Sequence, residues 1–79
     1  MKEFIIRFDD FELIAKQQPG GWTSIVHGPG ETRVAIKTDE DSAKNACLQS
    51  ATIMLSRRGT APPDVLIDPQ WNKALVSAF

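Results

Sequence analysis

A chain of 79 residues is long enough for one domain and too short for two. Hydrophobic residues make up 42% of the chain and charged residues 24%, a balance that is typical of globular domains and excludes a disordered segment. The net charge of −1 argues against a protein dedicated to coating nucleic acid, and the single cysteine excludes an internal disulfide.

The first part of the chain predicts β-structure. Apolar residues recur at every second position over 2–8 and again over 11–17, as in strands with one buried face. The Asp9-Asp10 pair between the two runs is a poor tight turn. The pattern therefore leaves open whether these residues form one bent strand or two separate strands.

Two stronger turn signals follow. In Gln18-Pro19-Gly20-Gly21 the proline fixes φ at one corner and the glycine supplies a positive φ at the next, and 28–31 is a second such segment. Short strands are predicted at 22–27 and 32–37, which completes an antiparallel meander. The alternation in the last strand places Val34 and Ile36 inward and Arg33, Ala35 and Lys37 outward.

Helical spacing replaces this alternation after Lys37. Thr38 is the predicted N-cap, with Asp41 in the position that reaches back in a capping box. Apolar residues at helical spacing continue to Met54, and Gly59 is a natural residue to follow a helix end. We therefore predict a long helix over 39–58.

A short C-terminal helix is predicted after a proline-containing linker. Asp68 is a suitable cap and Pro69 a suitable first helical residue. One apolar stripe follows, formed by Trp71, Ala74, Leu75, Ala78 and Phe79. The preceding segment, 65–67, either adds a short strand or packs on the core.

Together these elements predict a single α+β domain over residues 1–79. Its architecture is a three- or four-stranded antiparallel sheet arranged as a meander, with one long helix packed on one face and a short C-terminal helix. The residues expected in the core are Phe4, Ile6, Leu13, Val34, Ile36, Leu48, Met54, Leu55 and Leu75. The two edges of such a sheet can accept a strand from another chain.

No pattern in the sequence indicates catalysis, a metal site or a cofactor. His27 lies at a hairpin end, where a solvated turn residue is a simpler interpretation than a general base. Cys47 lies on the alanine-rich side of the long helix, which favours a buried small side chain over a reactive thiol. The acids at 39–41 lack EF-hand spacing and suit a helix start. We therefore expect no catalytic residue, no metal ligand and no cofactor.

Two kinds of residue could contact a partner. Trp22, beside a glycine-rich turn, is either an exposed aromatic contact or a cap on the core, and the usual burial of tryptophan favours the core. The basic candidates are Arg33, Lys37, Arg57 and Arg58. A contiguous basic face would favour nucleic acid, whereas interleaved acids and bases would favour a protein partner.

The run from Phe11 to Leu55 carries features of a known family. Phe11-Glu12-Leu13-Ile14 lies in one strand, Gly21-Trp22 opens the next, and after a glycine-containing turn Thr38 and the acids behind it lead an alanine-rich helix. In these features the chain resembles the N-terminal domain of HicB-type antitoxins. The resemblance implies a sheet packed against one helix, related in shape to double-stranded-RNA-binding folds, and it assigns no functional residue.

Three hypotheses for function follow, in order of preference. The first is a small non-catalytic protein-interaction module that associates with a protein partner or with itself. The second is a HicB-like antitoxin or nucleic-acid-binding module, and the third is a small enzyme or ligand-binding protein. The N-terminal residues lack a signal-peptide pattern, and no apolar run approaches the about 18 residues of a membrane span. We therefore expect a cytoplasmic protein with no membrane partner.

Overall fold

Five strands and two helices occur in residues 1–73, the part of the chain that the computed structural model describes. The strands are β1 (Glu3–Phe8), β2 (Phe11–Gln18), β3 (Gly21–Gly28), β4 (Glu31–Lys37) and β5 (Asn72–Lys73), and the helices are α1 (Glu40–Arg57) and α2 (Asp64–Ile67). Neighbouring strands are antiparallel, in the order β4-β3-β2-β1-β5. The α+β class, the meander and the long helix are confirmed, with one more strand than predicted.

Two-residue turns connect the first four strands. The first of these turns shows that the residues before 18 form two strands and not one bent strand. Phe8 pairs directly with Phe11, so the two alternating runs are separate strands of a hairpin. Asp9 in this turn has a φ of 47°, in the left-handed region that aspartate tolerates better than most residues. In the other two turns the glycine after the proline takes this conformation, with φ of 84° at Gly20 and 73° at Gly30.

Each two-residue turn reverses the parity of the residues that face the helix. Direct cross-strand partners share one face of a sheet. The helix-facing residues are therefore even-numbered in β1 and β3 and odd-numbered in β2 and β4. Because α1 packs across β2, β3 and β4 on this side, we call the opposite side of the sheet the open face.

The hydrophobic core fills the space between the sheet and the helices. Its main cluster comprises Ile6, Phe11, Leu13, Val26, Cys47, Ala51, Met54, Leu55 and Leu66, and a smaller cluster comprises Ala15, Trp22 and Ala43. Of the residues predicted in the core, the buried ones are Ile6, Leu13, Met54 and Leu55, and the half-buried ones are Phe4 and Leu48. Leu75 lies outside the described residues.

The prediction that Val34 and Ile36 point into the core is wrong. Val34 is 61% exposed and Ile36 is 69% exposed. The two-residue turn between β3 and β4 pairs Ala35 with the buried Ser24, so the odd-numbered residues of β4 share the helix side. The residues predicted to point outward are accordingly half-buried on the helix side: Arg33, Ala35 and Lys37.

The helix α1 begins at Glu40, and its N-cap is Asp39. The backbone N–H of Ser42 donates to Asp39 Oδ1 at 2.8 Å, which satisfies one of the free amide groups of the first turn. This hydrogen bond lowers the pKa of Asp39 because it favours the charged carboxylate. The predicted cap at Thr38 is therefore wrong by one residue.

A stripe of small side chains lets α1 lie close to the sheet. Ala43, Cys47 and Ala51 recur at every fourth position and are fully buried. The Cys47 thiol lies 3.2 Å from Ser24 Oγ and 3.2 Å from the carbonyl oxygen of Ile14. Larger residues in this stripe would hold the helix away from the strands.

The C-terminal region differs from the predicted helix over 69–79. The short helix of this region is α2, which begins earlier, at Asp64, and buries Leu66 against the main core cluster. Asn72 and Lys73 are not helical and form β5, which pairs with β1. Most of the predicted apolar stripe falls in residues 74–79, which lie outside the described part of the chain.

Candidate interaction surface

A continuous row of branched apolar side chains crosses the open face. Ile5 pairs with Ile14, Ile14 with Ile25, and Ile25 with Val34, one residue from each of the first four strands. We call these four residues the apolar row. Direct partners lie about 5 Å apart, so the row spans four strands. None of its members belongs to either core cluster.

Apolar exposure on this face is greatest at the edge strand β4. Ile5, Ile14 and Ile25 are half-buried, whereas Val34 and the neighbouring Ile36 are mostly exposed. Side chains in the middle of a sheet are shielded by neighbours on both sides, but in the described part of the chain β4 has a neighbouring strand on one side only. The most exposed apolar part of the sheet therefore coincides with a sheet edge.

The outer side of β4 has no strand beside it among residues 1–73. Gly28 and Glu31 are direct partners across a two-residue turn, and the pair that closes such a turn is hydrogen-bonded. Along an antiparallel strand, every second residue hydrogen-bonds to the neighbouring strand. Counting from Glu31, the N–H and C=O groups of Thr32, Val34 and Ile36 therefore point away from β3. The edge thus offers a row of backbone donors and acceptors next to the exposed side chains.

Polar side chains border the apolar row on one side. Arg7 Nε lies 2.6 Å from Glu12 Oε2, and His27 Nδ1 lies 3.1 Å from Thr32 Oγ1. Glu12 and His27 are direct partners across β2 and β3, so these four side chains form a polar row beside the apolar one. An apolar centre with a polar rim is the usual composition of a protein-binding surface.

A buried hydroxyl lies on the other side of the apolar row. Thr23 pairs with Ile36 on the open face, and its residue surface is only 8% exposed. Its Oγ1 has no hydrogen-bond partner among the described residues. Within residues 1–73 this hydroxyl therefore lacks the hydrogen bond that buried polar groups usually make, next to exposed apolar surface.

The structure places Trp22, one of the predicted contact residues, in the core. Trp22 lies on the side of the sheet that faces the helix and is 7% exposed. Its ring stacks on the ring of Phe4 with the centroids 6.4 Å apart. It also belongs to the smaller core cluster with Ala15 and Ala43. The indole therefore caps the core, the alternative that the usual burial of tryptophan favours.

Acidic groups lie between the predicted basic contact residues. Glu31 Oε1 lies 3.1 Å from Arg33 Nε and 3.3 Å from Arg57 Nη1. The hydrogen bond from Arg33, assisted by the charge of Arg57, lowers the pKa of Glu31. Arg58 lines a shallow pocket together with the acidic turn between β1 and β2. Lys37 lies at the other end of β4, so the described residues do not bring these cations into one patch.

The Cys47 thiol is sequestered from solvent. Its burial between α1 and the sheet raises the pKa of the thiol, which disfavours the reactive thiolate. Within residues 1–73, no group of three or more His, Cys, Asp or Glu side chains is placed to hold a metal ion.

The sequence contains a signal for the apolar row. Ile5, Ile14 and Ile25 each fall on the side of a strand opposite to the predicted core, and three branched residues on the solvent side of successive strands are uncommon. The exposure of Val34 and Ile36 is what the sequence interpretation missed.

Comparisons with known proteins add no identification. No protein-family model matches the chain, and no curated protein and no solved structure matches it either. In the part of the chain that the structure describes, no helix is both long enough and apolar enough to cross a membrane.

Proposed function

We propose that the protein is a non-catalytic protein-interaction module that associates with itself, and that its contact surface lies where the open face meets the β4 edge. The observation that carries this proposal is the exposure of Val34 and Ile36 on a strand whose outer side has no neighbouring strand within residues 1–73. Exposed apolar side chains and an uncovered strand edge are both covered favourably by another protein surface.

The arrangement of charges favours this proposal over a HicB-like antitoxin or nucleic-acid-binding module. Nucleic-acid affinity depends on cations that reach phosphates together. Here Glu31 lies between Arg33 and Arg57 and pairs with both. Interleaved charges of this kind are suited to the rim of a protein interface.

The chemistry of the candidate reactive residues supports a non-catalytic role. Cys47 is fully buried, with a thiol whose pKa is raised by burial. His27 Nδ1 contacts the hydroxyl of Thr32 on the open face, and the neighbouring Glu12 carboxylate is paired with Arg7 and not with the imidazole.

The proposal is tested by replacing an exposed apolar side chain of β4. Ile36→Thr keeps a β-branched side chain, and with it the preference for a strand, while removing apolar surface from the contact. We expect the unmodified protein to self-associate in sedimentation equilibrium across a concentration series. In Ile36→Thr the dimer dissociation constant should rise about tenfold, which corresponds to about 1.4 kcal/mol.

A matched control separates the contact from a general effect of surface hydrophobicity. Ile67 on α2 is 70% exposed against 69% for Ile36, so Ile67→Thr makes the same chemical change away from the sheet. We expect Ile67→Thr to leave the dissociation constant unchanged. A protein that sediments as a monomer at every concentration, or equal weakening by both substitutions, would contradict the proposal.

A further inference from the structure

We propose that the partner at this surface is a second copy of the chain, paired β4 to β4 in antiparallel orientation with Val34 of both copies at the two-fold axis. This inference rests on the proposed function and specifies its geometry. Its basis is the register of β4 in the sheet, the side chains on each of its faces, and the charges at its two ends.

The outward backbone groups of β4 satisfy one another in this register. Centring on Val34 places Thr32 opposite Ile36 of the second copy and Ile36 opposite its Thr32. These are the residues whose N–H and C=O groups point away from β3. Every outward group of the strand then gains a partner, and the two sheets become one continuous sheet.

The side chains on the open face also match in this register. Val34 lies beside Val34 of the second copy, and pairs of β-branched residues stabilise adjacent strands. Ile36 lies beside Thr32, which contributes a methyl group. The apolar row of one copy therefore continues into the apolar row of the other. Val34 and Ile36 each gain a second neighbouring strand, the kind of shielding that makes Ile14 and Ile25 half-buried.

The charges at the two ends of β4 are complementary across the same axis. Glu31, the first residue of the strand, comes to lie opposite Lys37, the last residue, in both halves of the dimer. Lys37 makes no ion pair with any described residue of its own chain, whereas Glu31 already forms ion pairs with Arg33 and Arg57. Opposite charges placed directly across two strands stabilise the pairing.

Neighbouring registers are opposed by like charges. A shift of two residues that keeps the outward groups paired places Arg33 opposite Arg33 of the second copy. The shift in the other direction places Arg33 opposite Lys37. Because like charges directly opposite each other destabilise a strand pair, the register centred on Val34 is selected over both.

The register is tested by disulfide cross-linking of single-cysteine substitutions. In the proposed dimer the two Cα atoms of residue 34 lie about 5.5 Å apart, within the range that a disulfide spans. The two copies of residue 32, or of residue 36, lie about 13 Å apart along the strands. Native Cys47 is buried and does not compete. Oxidation with diamide should therefore cross-link Val34→Cys, and neither Thr32→Cys nor Ile36→Cys alone.

An equal mixture of Thr32→Cys and Ile36→Cys supplies the positive control, since these two positions face each other. We expect it to yield a mixed disulfide dimer. Cross-linking of Thr32→Cys alone at the same rate as Val34→Cys would overturn the register. An unmodified chain that sediments as a dimer, combined with no cross-linking of Val34→Cys, would overturn the β4 contact and leave the proposed function standing. A strictly monomeric unmodified chain would overturn both.

A proline substitution gives a second readout that needs no oxidation. The N–H of Val34 points away from β3, so Val34→Pro should leave the folded monomer intact, as proline is tolerated at outward positions of edge strands. It removes the central donor from each side of the dimer, which should raise the dissociation constant about tenfold or more. Val34→Pro that keeps both its fold, by circular dichroism, and the dimer affinity of the unmodified chain would contradict the inference.

Discussion

Leu13→Ala should destabilise the domain far more than Leu48→Ala, although both remove the same three carbons. Leu13 lies in the middle of β2 and is fully buried under α1. Three carbons at about 0.8 kcal/mol each account for about 2.4 kcal/mol of lost transfer free energy. The cavity left in a packed core adds to this, which brings the expected loss to about 3–5 kcal/mol.

Leu48 is a half-buried residue at the margin of the same core, on the side of α1 where it lines a shallow surface with Ile53. Solvent fills the space that its truncation leaves, so the cavity contribution is small and about half of the transfer contribution is lost. The expected cost is about 1–1.5 kcal/mol.

Urea unfolding followed by tryptophan fluorescence measures both values. A domain of this size has a total stability of about 4–12 kcal/mol. Leu13→Ala should therefore shift the unfolding midpoint strongly or leave the chain unfolded, whereas Leu48→Ala should remain folded. Both side chains face away from the open face, so self-association does not enter the comparison. Equal losses in the two variants, or a larger loss for Leu48→Ala, would refute the helix register described above.

Two further predictions concern the ionisable groups of α1. In the native protein a thiol reagent at neutral pH should label Cys47 slowly, and fast only in denaturant. Because burial raises the pKa of the thiol above 9.0, the contribution of this thiol to the free energy of unfolding should be constant below pH 9.0 and fall as the pH rises beyond it. Rapid stoichiometric labelling of the native protein would contradict this. Asp39→Ala should lower the melting temperature more than Thr38→Ala at neutral pH; because the native pKa of Asp39 lies below 3.8, this difference should fade as the pH falls below 3.8, and a difference that persists in acid would argue against Asp39 as the cap.

The sequence was sufficient to predict the order of the main elements because each has a strong local signal. Pro19-Gly20 fixes a turn without help from the rest of the fold, and the acids before Ala43 favour a helix start there. Which residue caps the helix was less determined, since Thr38 and Asp39 are both good caps. The position of the cap depends on where the sheet ends. Lys37 is the last residue of β4 that pairs with β3, and the chain after it brings Asp39 to the start of the helix.

Which residues of β4 face the helix could have been predicted from the length of the preceding turn. The hydrophobic pattern alone gave the wrong side. A two-residue turn pairs Gly28 with Glu31 and forces Ala35 beside Ser24, so β4 has no freedom to choose its buried side. Once Trp22 and Val26 are placed inward, Val34 must face outward. A strand that breaks the inside–outside rule in this way supports the proposed contact surface, since natural sequences depart from the rule mainly at functional or strained sites.

The C-terminal segment could not be predicted from local signals. Asp68-Pro69 is a good helix start in isolation. The segment instead continues past α2, whose Leu66 is held by the core, and reaches the outer side of β1 at Asn72. This pairing joins residues about seventy positions apart in the chain, so it depends on the tertiary structure. A strand of two residues is also too short to show an alternating pattern in the sequence.

The two edges of the sheet differ in a way that limits the proposed assembly to two copies. At the β1 edge, β5 already pairs with Phe4 and Ile5 and covers part of the outer side. At the β4 edge no described residue does so. A two-fold contact between β4 strands uses the open edge of both copies, and it leaves a partly covered β1 edge at each end. Such a contact forms a closed dimer, because each chain uses the same surface and that surface is then no longer available to a third copy. The mass in sedimentation should therefore rise with concentration from that of one chain to that of two and stop there, and growth into longer polymers would show that the β1 edge also pairs.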